Sequence, residues 1–234
     1  MAGASKAERR RFLESVELFS GLSSSKLDRL VDLSATRSLA ANDVLCNKGD
    51  EAGQFYGVLW GRLKAVGTGS EGREVVFAVI GPGEVTGEIA LIDGRPRSAT
   101  IVAMEDSELL VLARRDFLAF LREDVDAAIQ LAQVLAAYIR RLSDTVEDAY
   151  YQPLPVRLAK KLLQLGREHG EDTPDGLRVG VKLSQRELGE LVGKTREAVN
   201  KQLRTWGEAG LVVTVGGHLV LRDVEGLEEI ADGL

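Results

Sequence analysis

The chain holds 234 residues with a net charge of −6, 44% hydrophobic and 28% charged side chains, which is room for one large soluble domain or two smaller ones. One cysteine, Cys46, and two histidines, His169 and His218, exclude an internal disulfide, a four-cysteine metal or iron–sulfur site and a histidine-rich metal centre. No apolar run approaches the roughly 20 residues that cross a bilayer, and the first eleven residues lack a signal-peptide core. The expectation is a cytoplasmic protein with no membrane partner and no metal.

In chain order, residues 6–18 carry Phe12, Leu13, Val16 and Leu18 at helical spacing. Ser23-Ser24-Ser25 then offers a hydroxyl cap ahead of a second helix with Leu27, Leu30, Val31 and Leu33. From residue 37 to 112 the period changes to short strands between glycine turns, at 37–46, 54–60, 62–66, 74–80 and 99–112, the last broken near Glu105-Asp106. Evenly spaced antiparallel strands of this kind predict a jelly roll.

Between the last two strand candidates runs Gly87-Glu88-Ile89-Ala90-Leu91-Ile92-Asp93-Gly94-Arg95-Pro96-Arg97-Ser98-Ala99. Arg97 stands at the edge of a β-core, and a buried cation needs a partner. Two readings fit the residues. In one, Glu88 pairs with Arg97 across a turn. In the other, Arg97 and Ser98 hold a phosphate, a helical turn opening at Gly87 aims its N–H groups at the anion, and Glu88 accepts hydrogen bonds from sugar hydroxyls.

Residues 115–151 contain neither proline nor glycine, which predicts one long helix. Val125, Ala128, Ala132, Leu135, Ile139, Leu142, Val146 and Ala149 follow in steps of three and four, close to a heptad. A helix of about 30 residues is about 45 Å long, more than one modest β-domain covers, so the stripe is expected to pair with its own copy as a dimer axis. Gln152-Pro153-Leu154-Pro155 stops it and forms a candidate hinge. A helix over 156–168 follows, then a polar loop over 169–176.

Residues 183–204 predict a helix-turn-helix. Ser184 and Glu187 spell a capping box, Gly193 suits a tight left-handed turn, and Thr195 caps a second helix with Ala198, Val199 and Leu203 inward. Its outward face carries Arg196, Glu197, Asn200, Lys201 and Arg204. Arginine forks onto guanine, glutamate accepts from the cytosine amino group, and later lysines reach phosphates. Residues 182–204 hold six basic and three acidic side chains inside an acidic protein, and Arg186, on the first helix, is a further candidate DNA contact. The pattern 211–221 with Gly216-Gly217 predicts a hairpin, a wing that places His218 near DNA.

These residues resemble the cyclic AMP receptor protein and fumarate–nitrate reduction regulator (CRP/FNR) family of bacterial transcription factors, over nearly the whole chain. The strongest matches are Gly87-Glu88-Ile89-Ala90 with Arg97-Ser98-Ala99, similar to the cyclic-nucleotide phosphate cassette, and Lys194-Thr195-Arg196-Glu197-Ala198-Val199-Asn200-Lys201, similar to the recognition helix. The resemblance implies an α+β architecture. Residues 1–114 would form the β-roll (jelly-roll) ligand domain, 115–151 the dimerisation helix, 152–155 the hinge and 156–234 a winged helix-turn-helix. It further implies that Glu88 takes a ribose hydroxyl, that Arg97 and Ser98 hold a cyclic phosphate, and that Arg196, Glu197 and Lys201 read GTGA-type half-sites in a palindrome. RNA polymerase is an expected partner, near residues 171–176. Two departures stand out. Thr86 replaces the usual aromatic before Gly-Glu, and the pair that meets the base in cyclic AMP-specific members falls on Leu142-Ser143, with one hydroxyl missing. The expectation is a homodimeric, allosteric regulator and not an enzyme, with cyclic AMP as ligand and cyclic GMP as the alternative. Same-fold alternatives are a regulator that needs no ligand or one that answers a cyclic dinucleotide. A regulatory subunit of an enzyme is a third reading. No catalytic constellation is present.

Overall fold

The computed structural model describes residues 3–19, 21–69 and 74–233. Helix α1 (Lys6–Ser15) begins with a capping box: the Ser5 side chain accepts from the Glu8 backbone, and the Glu8 carboxylate accepts from Ser5 N at 2.7 Å. Helix α2 (Ser24–Leu33) follows. The strands are β1 (Ala35–Leu39), β2 (Val44–Cys46), β3 (Gln54–Trp60), β4 (Leu63–Thr68), β5 (Glu74–Ile80) and β6 (Val85–Thr86), then helix α3 (Glu88–Asp93), β7 (Thr100–Ala103) and β8 (Ser107–Ala113). They form two antiparallel sheets, ordered β1-β8-β3-β6 and β2-β7-β4-β5. The expected jelly roll is present.

Two strands drawn as single in the sequence are pairs. The 37–46 candidate turns at Asn42, whose φ of 71° is left-handed, a region that asparagine tolerates. Asp43 accepts from Ala40 N at 2.8 Å and closes the turn. β1 and β2 therefore lie in different sheets, as do β7 and β8 on either side of Glu105-Asp106. Strand β8 is buried from Ser107 to Leu112 because both its faces are covered. Leu109 and Val111 join Tyr56, Val58, Leu63 and Ile101 inside the roll. Leu110 and Leu112 join Phe12, Leu13, Phe55, Phe117 and Phe120 in the core packed by the helices. Such double burial reads in sequence as an unbroken apolar run.

The helix expected over 115–151 is two helices, α4 (Arg114–Glu123) and α5 (Val125–Tyr151). Asp124 stays extended at φ −133° and ψ 99°. Its carboxylate accepts from Ala127 N at 3.0 Å and from Lys26 Nζ at 2.7 Å, so it caps α5. Over its 27 residues, about 40 Å, α5 buries only Ala127 and Leu131. Val125, Ile129, Ile139, Leu142, Val146, Tyr150 and Tyr151 are exposed.

The chain divides into two compact units, and the division along α5 falls between Arg140 and Arg141. In the second, Pro153 precedes α6 (Leu154–His169) and Pro155 occupies its first turn, where a missing N–H costs nothing. The segment expected as a loop over 169–176 is part of a hairpin, β9 (Glu171–Thr173) and β10 (Gly176–Arg178). Its polar composition suits β9, an edge strand paired on one side only. Then come α7 (Gln185–Val192), α8 (Arg196–Glu208), β11 (Val212–Val215), β12 (His218–Leu221) and α9 (Val224–Ala231), with sheet order β11-β12-β10-β9. Leu158, Leu162, Leu165, Leu188, Val199, Trp206, Leu221 and Leu227 are buried in this unit.

Candidate ligand site and nucleic-acid interface

Strand β6 ends at Thr86 and the chain turns through Gly87 into α3. Gly87 has φ 89° and ψ 0°, left-handed backbone that suits glycine. A Cβ there would also stand 2.4 Å from Arg97 Nη1. Arg97 is only 5% exposed. It donates from Nη1 to Gly87 O at 3.0 Å and from Nη2 to Gln54 O at 2.6 Å. Its guanidinium carbon lies 5.3 Å from the centre of the Tyr56 ring, within range of a cation–π attraction. The Tyr56 hydroxyl in turn donates to Gln54 Oε1 at 3.0 Å. The backbone of Arg97 is held as well, its N–H on Asp50 O at 2.8 Å and its carbonyl on Gly49 N at 2.9 Å.

Glu88 is 3% exposed and its Oε2 has no hydrogen-bond partner. Burial pushes its carboxyl above the ordinary range, against the opposing pull of its own backbone N–H and of Arg97. Among the described residues Glu88 and Arg97 form no ion pair. That disposes of the internal salt bridge as an account of these two residues. Arg97 meets carbonyl dipoles and a ring instead of a carboxylate, and Glu88 keeps an unsatisfied oxygen, which is costly in a buried place. A guanidinium has five N–H donors; the two carbonyls engage two of them, and Nε has no partner. The site therefore fits a group that brings a hydroxyl to Glu88 and an anion to Arg97 and the exposed Ser98.

The other expected ligand residues are placed unequally. Ala90 is buried toward the core and Ile89 is exposed. Leu142 and Ser143 are exposed on α5, beyond the point where the units divide. Gln54 and Tyr56 were not expected in the site. The Gln54 contact runs through a backbone carbonyl 43 residues from Arg97, and a carbonyl leaves no mark in a sequence.

In the second unit the local signals for a helix-turn-helix are met. The Ser184 hydroxyl accepts from Glu187 N at 3.2 Å and the Glu187 carboxylate accepts from Ser184 N at 2.9 Å. Gly193 closes the turn at φ 63°. A Cβ on Gly189 would lie 2.6 Å from Lys194 O, so the tight approach of α7 to the start of α8 needs glycine there. Thr195 Oγ1 accepts from Ala198 N at 3.3 Å.

The expected DNA contacts separate into two groups. Arg196, Glu197 and Lys201 are exposed, and no hydrogen bond or ion pair engages their side chains among the described residues. Arg186 instead pairs with Glu190 at 2.8 Å and Arg204 with Glu208 at 3.2 Å. Asn200 Nδ2 donates to Gln185 Oε1 at 2.8 Å, bracing α8 against α7. His218 is half-buried, with Nδ1 3.1 Å from Val179 O, so that nitrogen carries the hydrogen and the ring turns toward the backbone. The wing hairpin itself is present, with the register Val215↔His218 around Gly216-Gly217.

Among the described residues, no group of three or more His, Cys, Asp and Glu side chains could hold a metal ion. Nor, among the described residues, is any helix long and apolar enough to cross a membrane.

Two family profiles match: the cyclic nucleotide-binding domain over residues 36–124 and the Crp-like helix-turn-helix domain over 156–230. The chain is 34% identical over 217 residues to the cyclic AMP receptor protein of Thermus thermophilus, covering 93% of this chain and 97% of that relative. It is 29% identical to the CRP-like cAMP-activated global transcriptional regulator of Mycobacterium tuberculosis, over 77% of this chain and 80% of the relative. Among solved structures, a CRP-family transcriptional regulator from Thermus thermophilus superposes with a TM-score of 0.71 at 26% identity, covering 84% of this chain and 96% of the other.

Proposed function

The chain belongs to the CRP/FNR family of DNA-binding transcription regulators, and on that premise we propose that it is a homodimer whose DNA binding is controlled by a cyclic mononucleotide. It is a DNA-binding regulator with a cyclic nucleotide-binding domain and not an enzyme. The observation that carries the ligand reading is the buried Glu88 carboxylate, with Oε2 unsatisfied, beside an Arg97 that retains free N–H donors.

In this reading Glu88 accepts from the ribose hydroxyl, while Arg97 and Ser98 hold the cyclic phosphate. Each group gains a partner that the protein alone does not provide, and a charge-assisted bond to phosphate is stronger than one to a carbonyl. Cyclic AMP is the first choice of ligand. Leu142, beside Ser143, lacks the hydroxyl that would mark the base as adenine, which makes cyclic GMP the second reading.

The exposed apolar stripe of α5 supports pairing with a second copy. Arg196, Glu197 and Lys201 then read GTGA-type half-sites related by the dimer axis, and RNA polymerase is the expected partner at the promoter. Ligand acts through differential affinity for two dimer geometries, one of which sets the recognition helices one DNA turn apart. Fluorescence anisotropy on a palindromic GTGA duplex, with and without cyclic AMP or cyclic GMP, tests the scheme. A nucleotide should tighten binding several-fold. Equal binding in all conditions rejects ligand control while leaving the DNA-binding family assignment intact.

A further inference from the structure

Strand β3 serves two interiors at once. Phe55 points into the core packed by the helices, where its ring stacks on Phe117 with centroids 4.6 Å apart. Tyr56, the next residue, faces the inside of the roll with Val58, Leu63 and Ile101, as the alternation of a strand requires. It is buried. Its cross-strand partners are Val111 of β8 and Thr86 of β6, so it is fixed from both sides, and Thr86 directly precedes the turn at Gly87.

Three groups at this end of the β3–β6 pair hold the Arg97 guanidinium, and none of them carries a charge. Gly87 O takes Nη1, Gln54 O takes Nη2, and the centre of the Tyr56 ring lies 5.3 Å from Cζ. No ion pair engages Arg97 among the described residues. A carboxylate would hold this arginine by neutralising it, whereas a ring attracts it through its quadrupole and leaves the charge whole. That charge is felt inside the roll. Burial raises the Cys46 thiol first, and Arg97 is the foremost influence pulling it back.

We propose that Tyr56 is a positioning residue of the ligand site, its ring holding the Arg97 guanidinium in place to meet a phosphate while leaving the charge uncompensated. The inference rests on the cyclic-nucleotide reading above. The ring is what acts. The Tyr56 hydroxyl donates to the side chain of Gln54 at 3.0 Å, whereas Arg97 uses the Gln54 backbone carbonyl, so losing the hydroxyl leaves the hold on Arg97 intact. Tyr56 works through Arg97 and not by contact with the ligand.

The test has a ligand-free and a ligand-bound arm, both on the full chain. In ligand-free protein carrying isotope-labelled arginine, the Arg97 Nε–H resonance is identified by its absence from Arg97→Lys. Ring current shifts a proton held close to an aromatic ring, so Tyr56→Leu should displace this signal and Tyr56→Phe should keep it. Tyr56→Met, a more adaptable filler, takes the place of Tyr56→Leu if the latter does not melt cooperatively. Val58→Ala, at the next inward position of β3 and fully buried, should lower the melting temperature and leave the signal where it is. In calorimetry with cyclic AMP and cyclic GMP, Tyr56→Leu should weaken binding of the recognised nucleotide roughly five- to thirtyfold, as the loss of a desolvated cation–π contact does. Tyr56→Phe should bind within about twofold of wild type. An Arg97 signal left in place by Tyr56→Leu, or undiminished nucleotide affinity in that variant, overturns the proposal alone. So does an equal displacement by Val58→Ala, which would make Tyr56 a filler of the core. No heat from wild type with either nucleotide overturns it together with the reading it rests on.

Discussion

Arg97 Nη1 donates to the carbonyl of Gly87 at 3.0 Å, so the buried cation is tied to the turn that presents Glu88. Gly87→Ala strikes both partners at once. A left-handed residue with a side chain costs about 1–2 kcal/mol, and the new methyl would also meet the guanidinium. We expect a lower melting temperature together with loss of cyclic nucleotide binding by calorimetry. Intact ligand affinity in a destabilised variant would show that the Arg97–Gly87 bond does not shape the site.

Glu88 gives a pH signature. Its carboxyl is raised above the ordinary value of 4.5, first by burial, so the folded state holds that proton more tightly than the unfolded chain does. Its stabilising contribution is complete below pH 4.5 and is lost as pH rises through the folded value. Glu88→Gln removes the titration. The melting temperature of the variant relative to wild type, both without ligand, should climb from about pH 4 toward neutrality, while cyclic nucleotide affinity falls. A pH-independent difference would contradict the burial argument.

Asp124 carries the opposite sign. The hydrogen bond from Lys26 comes first and the Ala127 N–H second in holding its carboxyl below the ordinary range. Its contribution is present above pH 3.8 and is lost as pH falls through the folded value. Asp124→Ala should cost about 0.5–2 kcal/mol in urea unfolding at neutral pH, as lost caps do, and less at about pH 3. An equal cost at both values would mean that the cap is not ionic.

On the recognition helix, Arg196→Ala should cost about 1–3 kcal/mol of DNA affinity and relax one base position. A uniform loss on every sequence would make Arg196 a phosphate contact.

Asn200 is a brace to Gln185 as the chain folds, and the two should be coupled. In a double-mutant cycle, Asn200→Ala and Gln185→Ala should deviate from additivity in stability by about 0.5 kcal/mol or more. Strict additivity, with a changed base preference for Asn200→Ala alone, would return Asn200 to base reading.

What was readable in the chain was local. Ser184, Glu187, Gly193 and Thr195 act within one turn of themselves, and their spacing alone marks caps and a turn that the fold contains. The apolar residues of 99–112 marked a strand, but the burial of β8 on both faces was learned only from the fold. The errors have equally physical sources. Asp124 ends one helix and caps the next, a role open to aspartate but invisible to a search for proline and glycine. Asn42 turns the chain in a left-handed conformation with no glycine to signal it. The 171–178 hairpin is polar because β9 is an edge. At the candidate ligand site, Glu88 and Arg97 were recognisable, but the choice between a salt bridge and an unpaired couple depended on the carbonyls of Gly87 and Gln54. His218 was placed at the DNA by its position next to the wing turn, whereas the Val179 carbonyl draws its ring inward.

The most direct measurement is a calorimetric titration of wild type, Arg97→Ala and Glu88→Gln with cyclic AMP and cyclic GMP side by side. Saturable binding of one nucleotide by wild type, lost in Arg97→Ala and weakened in Glu88→Gln with melting transitions intact, is the predicted result. No heat with either nucleotide, or undiminished binding by Arg97→Ala, would contradict the assignment of this site to a cyclic nucleotide.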